Sequence, residues 1–420
     1  MSTAMFAASV APTVAPIPIL KSRRSAAYRP RSFMNTMISL SSARVSYLSA
    51  PVVLGAMVAV GAALYVPAAQ AQTQLGEHFT LSGFGSLGAV KADTERDGFV
   101  RNRQAKGAKD GVSLKVDSNL GLQLTGRASS WLSATVQGVY MQREQENAKL
   151  EPEWAFVKVT PLEGLALRAG RFSLPMFLVS DSRNVGYANN WGRPPDEVYA
   201  LALLNRLDGA DVSYRLPLGS TALTVTAFVG DSDFALGPLR IAKVNKVQGF
   251  NFQWDADWLQ LRVGQVKAKV PEFSNDSYTF TGVGATVERD NIFAQAEYVT
   301  RRSAGFPANT NAEGWYVMGG YRFGKFLPFV TFAETTSQAS TFQTSGAQQT
   351  RGVGLRWDAF NSAALKFQAQ RTDPQGTVGI SFTPRIVPVR SPGAPGGFII
   401  TRAPAQKATT VFSAAIDFVF

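Results

Sequence analysis

The chain has no cysteine and a single histidine in 420 residues. The first absence excludes a disulfide framework and a thiolate metal site. The second leaves His78, which lies ahead of the first expected strand, without the partners a histidine-based hydrolytic triad or dyad needs. No P-loop or dinucleotide fingerprint stands in a strand-to-helix setting, and Gly83, Gly85 and Gly88 read as strand glycines because no helix follows them. Asp231 and Asp233 lack the number and spacing of a calcium site. No cofactor and no metal is expected. Long apolar runs are also missing from the body of the chain, whose mean hydropathy is close to zero.

Acidic residues are missing from the first 71 positions, where Lys21, Arg23, Arg24, Arg29, Arg31 and Arg44 are the charged side chains. Pro51 to Val66 is apolar, too short for a membrane anchor, and runs into Ala69, Gln70, Ala71, a small-x-small cleavage pattern. Residues 1–71 therefore read as an export leader, with Gln72 as the first mature residue and Met34 or Met37 as the true start. An organellar transit peptide shares the basic composition, but the apolar core and cleavage pattern fit bacterial export better. Without those six basic residues, 36 Lys plus Arg face 30 Asp plus Glu, and the formal charge falls from +12 to +6. The remaining cations are scattered rather than gathered in one patch, so nucleic acid is not an expected partner.

What is present is a rhythm. From Phe79 to Phe420 the chain divides into short segments of alternating apolar and polar residues joined alternately by tight turns and long loops. Tight turns fall at Ser129 to Ser130, Pro161 to Gly164, Pro217 to Ser220, Asp255 to Asp257, Glu288 to Asn291, Gly324 to Lys325 and Asp358 to Ser362. Seven turns and eight loops join sixteen strands, an even number, as a closed antiparallel barrel requires. The strands are expected near 79–90, 114–128, 131–143, 153–160, 164–172, 208–216, 221–230, 247–254, 258–268, 278–287, 291–301, 314–323, 326–336, 350–357, 363–371 and 408–420.

Within the strands, Leu120, Leu122 and Leu124 oppose Asn119, Gln123, Thr125 and Arg127, and Val353, Leu355 and Trp357 oppose Gly352, Gly354 and Arg356. One face suits lipid and the other water. Trp131, Trp254, Trp258, Phe323, Phe326, Trp357 and Phe360 lie beside the short turns, where an interfacial girdle belongs, and Tyr140, Tyr278 and Tyr298 lie near the opposite strand ends. The fold class is all-β, a transmembrane antiparallel β-barrel over residues 72–420.

Gly170, Arg171, Phe172 before a long third loop, Gly354, Leu355, Arg356, Trp357, Asp358, and the terminal Asp417, Phe418, Val419, Phe420 carry a resemblance to the sixteen-stranded porins of Gram-negative bacteria. The resemblance implies a location in the outer membrane among lipid and lipopolysaccharide, and a homotrimer. It implies a third loop folded into the pore and a terminal Phe420 read by the barrel-assembly machinery. The third loop, with Trp191, Gly192, Arg193, Pro194, Pro195, Asp196 and Glu197, lacks the acidic consensus of the best-known general porins.

The chemistry of a pore lies in its width and its lining charges. Strand parity puts Arg127, Lys158, Arg168, Arg215, Arg262, Arg322, Arg356 and Lys366 on the lumen face, with Asp211, Glu297, Asp417 and Glu334 as acids. Arg171 joins this set from the closing motif of the fifth strand. Across from the wall, the third loop brings Asp181, Arg183, Arg193, Asp196 and Glu197. Acids facing a basic ladder would set a transverse field favouring small anions. The expected function is passive diffusion of small hydrophilic solutes. The alternative is a surface interaction protein acting through long loops, such as Thr372 to Lys407 with Arg385, Arg390 and Arg402.

Overall fold

A computed structural model describes residues 72–420 except 102–103, 144–146, 203, 236–240, 271–275, 305–310, 338–345, 376–378, 384–386, 391–397 and 402–405. The leader expected over 1–71 and its cleavage pattern lie outside the described residues, as do Arg385 and Arg402.

The strands in chain order are β1 (Thr73–Leu75), β2 (Phe79–Ala92), β3 (Asn119–Arg127), β4 (Leu132–Met141), β5 (Lys149–Leu162), β6 (Leu165–Ser173) and β7 (Arg206–Leu218). There follow β8 (Thr221–Ala235), β9 (Ile241–Asp255), β10 (Leu259–Val270), β11 (Asp276–Arg289), β12 (Ile292–Ala304) and β13 (Ala312–Tyr321). The last are β14 (Phe326–Ser337), β15 (Gln348–Trp357), β16 (Ala363–Pro374), β17 (Val387–Arg390), β18 (Phe398–Thr401) and β19 (Thr409–Val419). A four-residue helix, α1 (Asp196–Tyr199), lies between β6 and β7.

Strands β2 to β16 pair in sequence, and β19 pairs with both β16 and β2, closing sixteen antiparallel strands into a barrel. Closure leaves the barrel without an open edge, as backbone in a hydrocarbon layer requires. Phe420 exchanges two backbone hydrogen bonds with Gly83, 2.7 and 3.0 Å, and β1 extends the same edge of β2 from Leu81 to Phe79. Strand β1 and the β17–β18 hairpin within the final loop are additions to the expected sixteen.

All seven tight turns occur where the rhythm places them. At the β11–β12 turn Asp290 and Asn291 both have positive φ, 50° and 68°, the mirror-image turn that suits the twist of a two-residue hairpin. The outward faces are apolar: Leu120, Leu122, Leu124, Val353 and Trp357 are exposed, and so are Trp131, Trp258, Phe323, Phe326 and Phe360 at the short-turn rim. Tyr140 and Tyr298 face outward near the long-loop rim, whereas Tyr278 turns inward and is buried. Strand β3 begins at Asn119 rather than near 114. The preceding Val116 instead packs with Val90, Phe99, Phe382 and Val411 beneath the first long loop.

The larger departure from simple alternation is on the inward face. Val266, Phe280, Tyr316, Met318 and Phe329 point into the barrel from β10, β11, β13 and β14, yet they are buried in one cluster with Leu174, Met176, Phe177, Val198, Tyr199 and Leu201 of the third long loop. Fully burying one such side chain stabilises by about 1.5–3 kcal/mol. The third loop, residues 174–205, is thus seated on an apolar patch of the wall rather than suspended in water.

Candidate functional site: the barrel lumen

Where the third loop lies, the inward ions hold it. Lys366 and Arg356, each about 1% exposed, donate into its carbonyls: Lys366 Nζ to Gly186 O at 2.6 Å and Trp191 O at 3.0 Å, and Arg356 Nη1 to Tyr187 O at 2.9 Å and Asn189 O at 2.8 Å. Their charges are matched by Asp417 and Asp358, each at 2.7 Å. Arg322 also meets Asp358 at 2.7 Å. On β12, buried Glu297 accepts from Leu178 N at 2.7 Å, from Tyr316 Oη at 2.9 Å and from Tyr199 Oη.

The loop's own charges follow the same pattern. Arg193 is buried, paired with Asp117 at 2.8 Å and lying over the Phe99 ring at 4.8 Å. Arg183 meets Glu153 at 3.3 Å. Asp196 accepts from Ser381 Oγ at 2.9 Å, while Glu197 accepts from Gln348 Nε2 at 2.7 Å and from Thr350 Oγ1. Both carboxylates are buried, and burial pushes the Glu197 carboxyl above the usual glutamate range against the pull of those donors. Lys366, Arg356, Glu297, Arg193, Asp196 and Glu197 were expected to line the passage; they are instead buried at the contact between loop and wall. The reason is desolvation: a loop pressed on a wall must find donors for its carbonyls, and the wall must find partners for its ions.

The rest of the wall is different. Direct cross-strand pairing puts Arg127, Ser133, Lys158, Arg168 and Asp211 in one row over β3 to β7. Arg127 is exposed, Lys158 is largely covered at 8%, and Arg168 grips Asp211 with Nε at 3.1 and 3.0 Å from the two carboxylate oxygens. The Arg168 guanidinium also lies 4.5 Å from the Phe172 ring centre. A second row, Arg215, Thr224, Gln253 and Arg262, crosses β7 to β10. Arg215 is half exposed with Asp255 at 3.7 Å, and Arg262 donates to Leu178 O at 3.4 Å. Of the third loop's carboxylates, Asp181 is the exposed one, and its charge acts on both Arg168 and Arg262.

Arg171 does not line the lumen. It pairs across the strands with Ala155 and Asp208, shares the outward parity of Leu167 and Ala169, and forms a two-pronged pair with Asp208 at 2.6 Å on that face. Residues that the sequence reading missed are Gln348, Ser381 and Asp117, which satisfy the loop's charged groups from the first and last long loops and the top of β15. Phe420 lies over Gly83 on the outward side; a Cβ there would come within 2.3 Å of the phenyl ring. Among the described residues no group of three or more His, Cys, Asp or Glu is arranged to hold a metal ion.

No family model and no curated protein matches the chain. Solved structures do. The anion-selective porin from Comamonas acidovorans aligns with a TM-score of 0.53 at 13% identity, over 82% of this chain and 100% of that one. The Salmonella typhi OmpF complex with daunomycin gives 0.53 at 11%, over 81% and 97%. The outer membrane channel DcaP of Acinetobacter baumannii gives 0.52 at 11%, over 83% and 100%. The chain therefore has the outer-membrane porin fold, the architecture of a multi-pass outer-membrane barrel.

Proposed function

We propose that the chain forms a water-filled channel for passive diffusion of small hydrophilic solutes across the outer membrane, with a weak preference for anions. The observation that carries this reading is the inward row Arg127, Ser133, Lys158, Arg168 and Asp211, three cations and one carboxylate beside an apolar outer wall, with Arg127 exposed at its end. Sixteen strands enclose more space than wall side chains fill. The similarity in fold to an anion-selective porin supports the direction of the preference. Export with cleavage after Ala71, assembly as a homotrimer, contact with lipopolysaccharide and reading of Phe420 by the assembly machinery belong to the same proposal.

The test is the current through purified protein in a planar bilayer bathed by a salt gradient. Steady current with a reversal potential on the anion side is expected. A silent barrel would overturn the channel and favour a surface protein acting through its loops. Mass spectrometry of the mature chain checks the leader, and retention of Pro51 to Val66 would refute the cleavage. Light scattering in mild detergent checks the trimer.

A further inference from the structure

The third loop is held by the wall along most of its length, and at α1 the last long loop adds a second hold through Ser381. Gln348, at the start of β15 and fully buried, spends its whole hydrogen-bonding capacity there. Its Nε2 donates to Glu197 Oε1 at 2.7 Å and to Ser381 Oγ at 2.8 Å, while its Oε1 accepts from Ile380 N at 3.2 Å and Ser381 N at 3.3 Å. Ser381 Oγ donates onward to Asp196 at 2.9 Å. Ser381 also belongs to a bridge with the first loop: Val100 N donates to Ser381 O at 2.9 Å, Thr383 N donates to Gly98 O at 2.9 Å, and Phe99 meets Phe382 edge to face at 5.9 Å. One amide and one hydroxyl therefore tie the last loop, the first loop and the constricting loop together.

We propose that Gln348 and Ser381 are positioning residues that set the width and charge of the passage from the extracellular side, by keeping α1 docked and its two carboxylates turned away from the lumen. The proposal rests on the channel reading. It follows from what holds Glu197: neutral donors from Gln348 and Thr350. Buried carboxylates held by neutral hydrogen bonds stay in place only while every donor is present. Seating is also tight, because the Glu197 carbonyl oxygen lies where a Cβ on Gly314 would come within 2.0 Å. With the last loop lifted, Asp196 loses the Ser381 hydroxyl and Gln348 loses the contacts that aim its amide at Glu197, and the water-filled lumen is the nearest place to hydrate the two carboxylates. Release of the loop both widens the passage and adds negative charge to it.

The absence of cysteine makes a reversible test available. Asp196→Cys combined with Ser381→Cys replaces a side-chain contact by a pair that oxidation can join, and reduction then leaves neither hydrogen-bonding partner. The oxidised channel is expected to conduct like the native protein. On reduction its conductance should roughly double as the constriction opens, while the native channel ignores the reductant. In parallel, Ser381→Ala with Gln348→Ala, which keeps both carboxylates, should move the reversal potential toward cations. Hydrogen exchange at the amides of Val198 to Leu201 should quicken in the reduced double-cysteine protein. Equal conductance and equal exchange in the oxidised and reduced forms would overturn the proposal. If the native barrel is silent, the channel reading falls and the exchange measurement alone decides whether these two residues position the loop.

Discussion

The two parts of the barrel wall use the same residue types for opposite purposes. On β12 to β16 and β19, inward charges lie under the third loop: Lys366 and Asp417 are each about 1% exposed and bind backbone carbonyls or each other. On β3 to β7 the inward face opens at its ends, where Arg127 is exposed and Arg215 remains 53% exposed, while Lys158, Arg168 and Asp211 between them are largely covered. A cation on the covered side is a fastener, whereas on the open side it is a field. The difference is made by apolar neighbours: Tyr316, Met318 and Phe280 give the loop something to bury, and the ions beside them then have to be paired.

That comparison breaks most sharply at Lys366. Lys366→Met leaves Asp417 buried without its cation and removes two donors from the loop, a loss of about 3–5 kcal/mol for a buried pair cut on one side. Arg215→Met, on the open side, should cost about 0–1 kcal/mol, as exposed pairs do. The thermal midpoint of the heat-modifiable band should drop strongly for the first and hardly for the second. Equal shifts would show that the two regions are not energetically distinct.

The seam between β19 and β2 joins the covered side to the open side. Truncation before Phe420 removes both backbone bonds to Gly83 and the ring that covers it. The yield of assembled barrel should fall severalfold, far more than for a loop substitution such as Lys109→Ala. Normal yield after truncation would mean that β1 and the remainder of β19 close the seam unaided.

A smaller effect concerns pH. Burial raises the Glu197 carboxyl above its ordinary value, so its protonated form favours the docked loop. Docking stability is then full below the ordinary glutamate range, about 4.3, and declines as pH rises through the raised value. Hydrogen exchange at α1 should therefore quicken from acid toward neutral pH, and Glu197→Gln should flatten the trend. A trend in the opposite direction would mean that the carboxylate is held charged.

The strands and turns were legible because a lipid-facing wall imposes a period of two and a two-residue turn imposes its own residue types, as Asp290 and Asn291 show. Parity also settles Arg171: counting from Leu167 and Ala169 already places it outward, and reading it with the closing motif obscured that. Parity does not say what lies against the inward face. Arg215 and Lys366 both point inward by parity, yet one remains half exposed and the other is sealed beneath the third loop. A signal was present: large apolar residues at inward positions, Val266, Phe280, Tyr316 and Met318, mark the wall that a loop must cover. The partners Gln348, Ser381 and Asp117 left no such mark, because a glutamine, a serine and an aspartate in or near long loops look the same whether solvated or buried.

The finest division is between cations on the open side and cations on the outer wall. Arg168 faces the lumen by parity, but its guanidinium is offset by Asp211, whereas Arg127 has no anionic partner among the described residues. Neutralising Arg168 exposes Asp211 and changes the local charge by one; neutralising Arg127 also changes it by one but without disturbing a pair. Both Arg127→Gln and Arg168→Gln should move the reversal potential toward cations, and Arg168→Gln should in addition lower thermal stability. Arg171→Gln serves as the control, since its charge faces outward beside Asp208. Salt screens such fields over about 8 Å at physiological ionic strength, so the lumen variants should shift the potential more in dilute salt than in concentrated salt. The Arg171 variant should shift it in neither. A shift from Arg171→Gln equal to that from Arg127→Gln would show that selectivity reflects net charge rather than the inward row, and the distinction between the two faces would then have no bearing on transport.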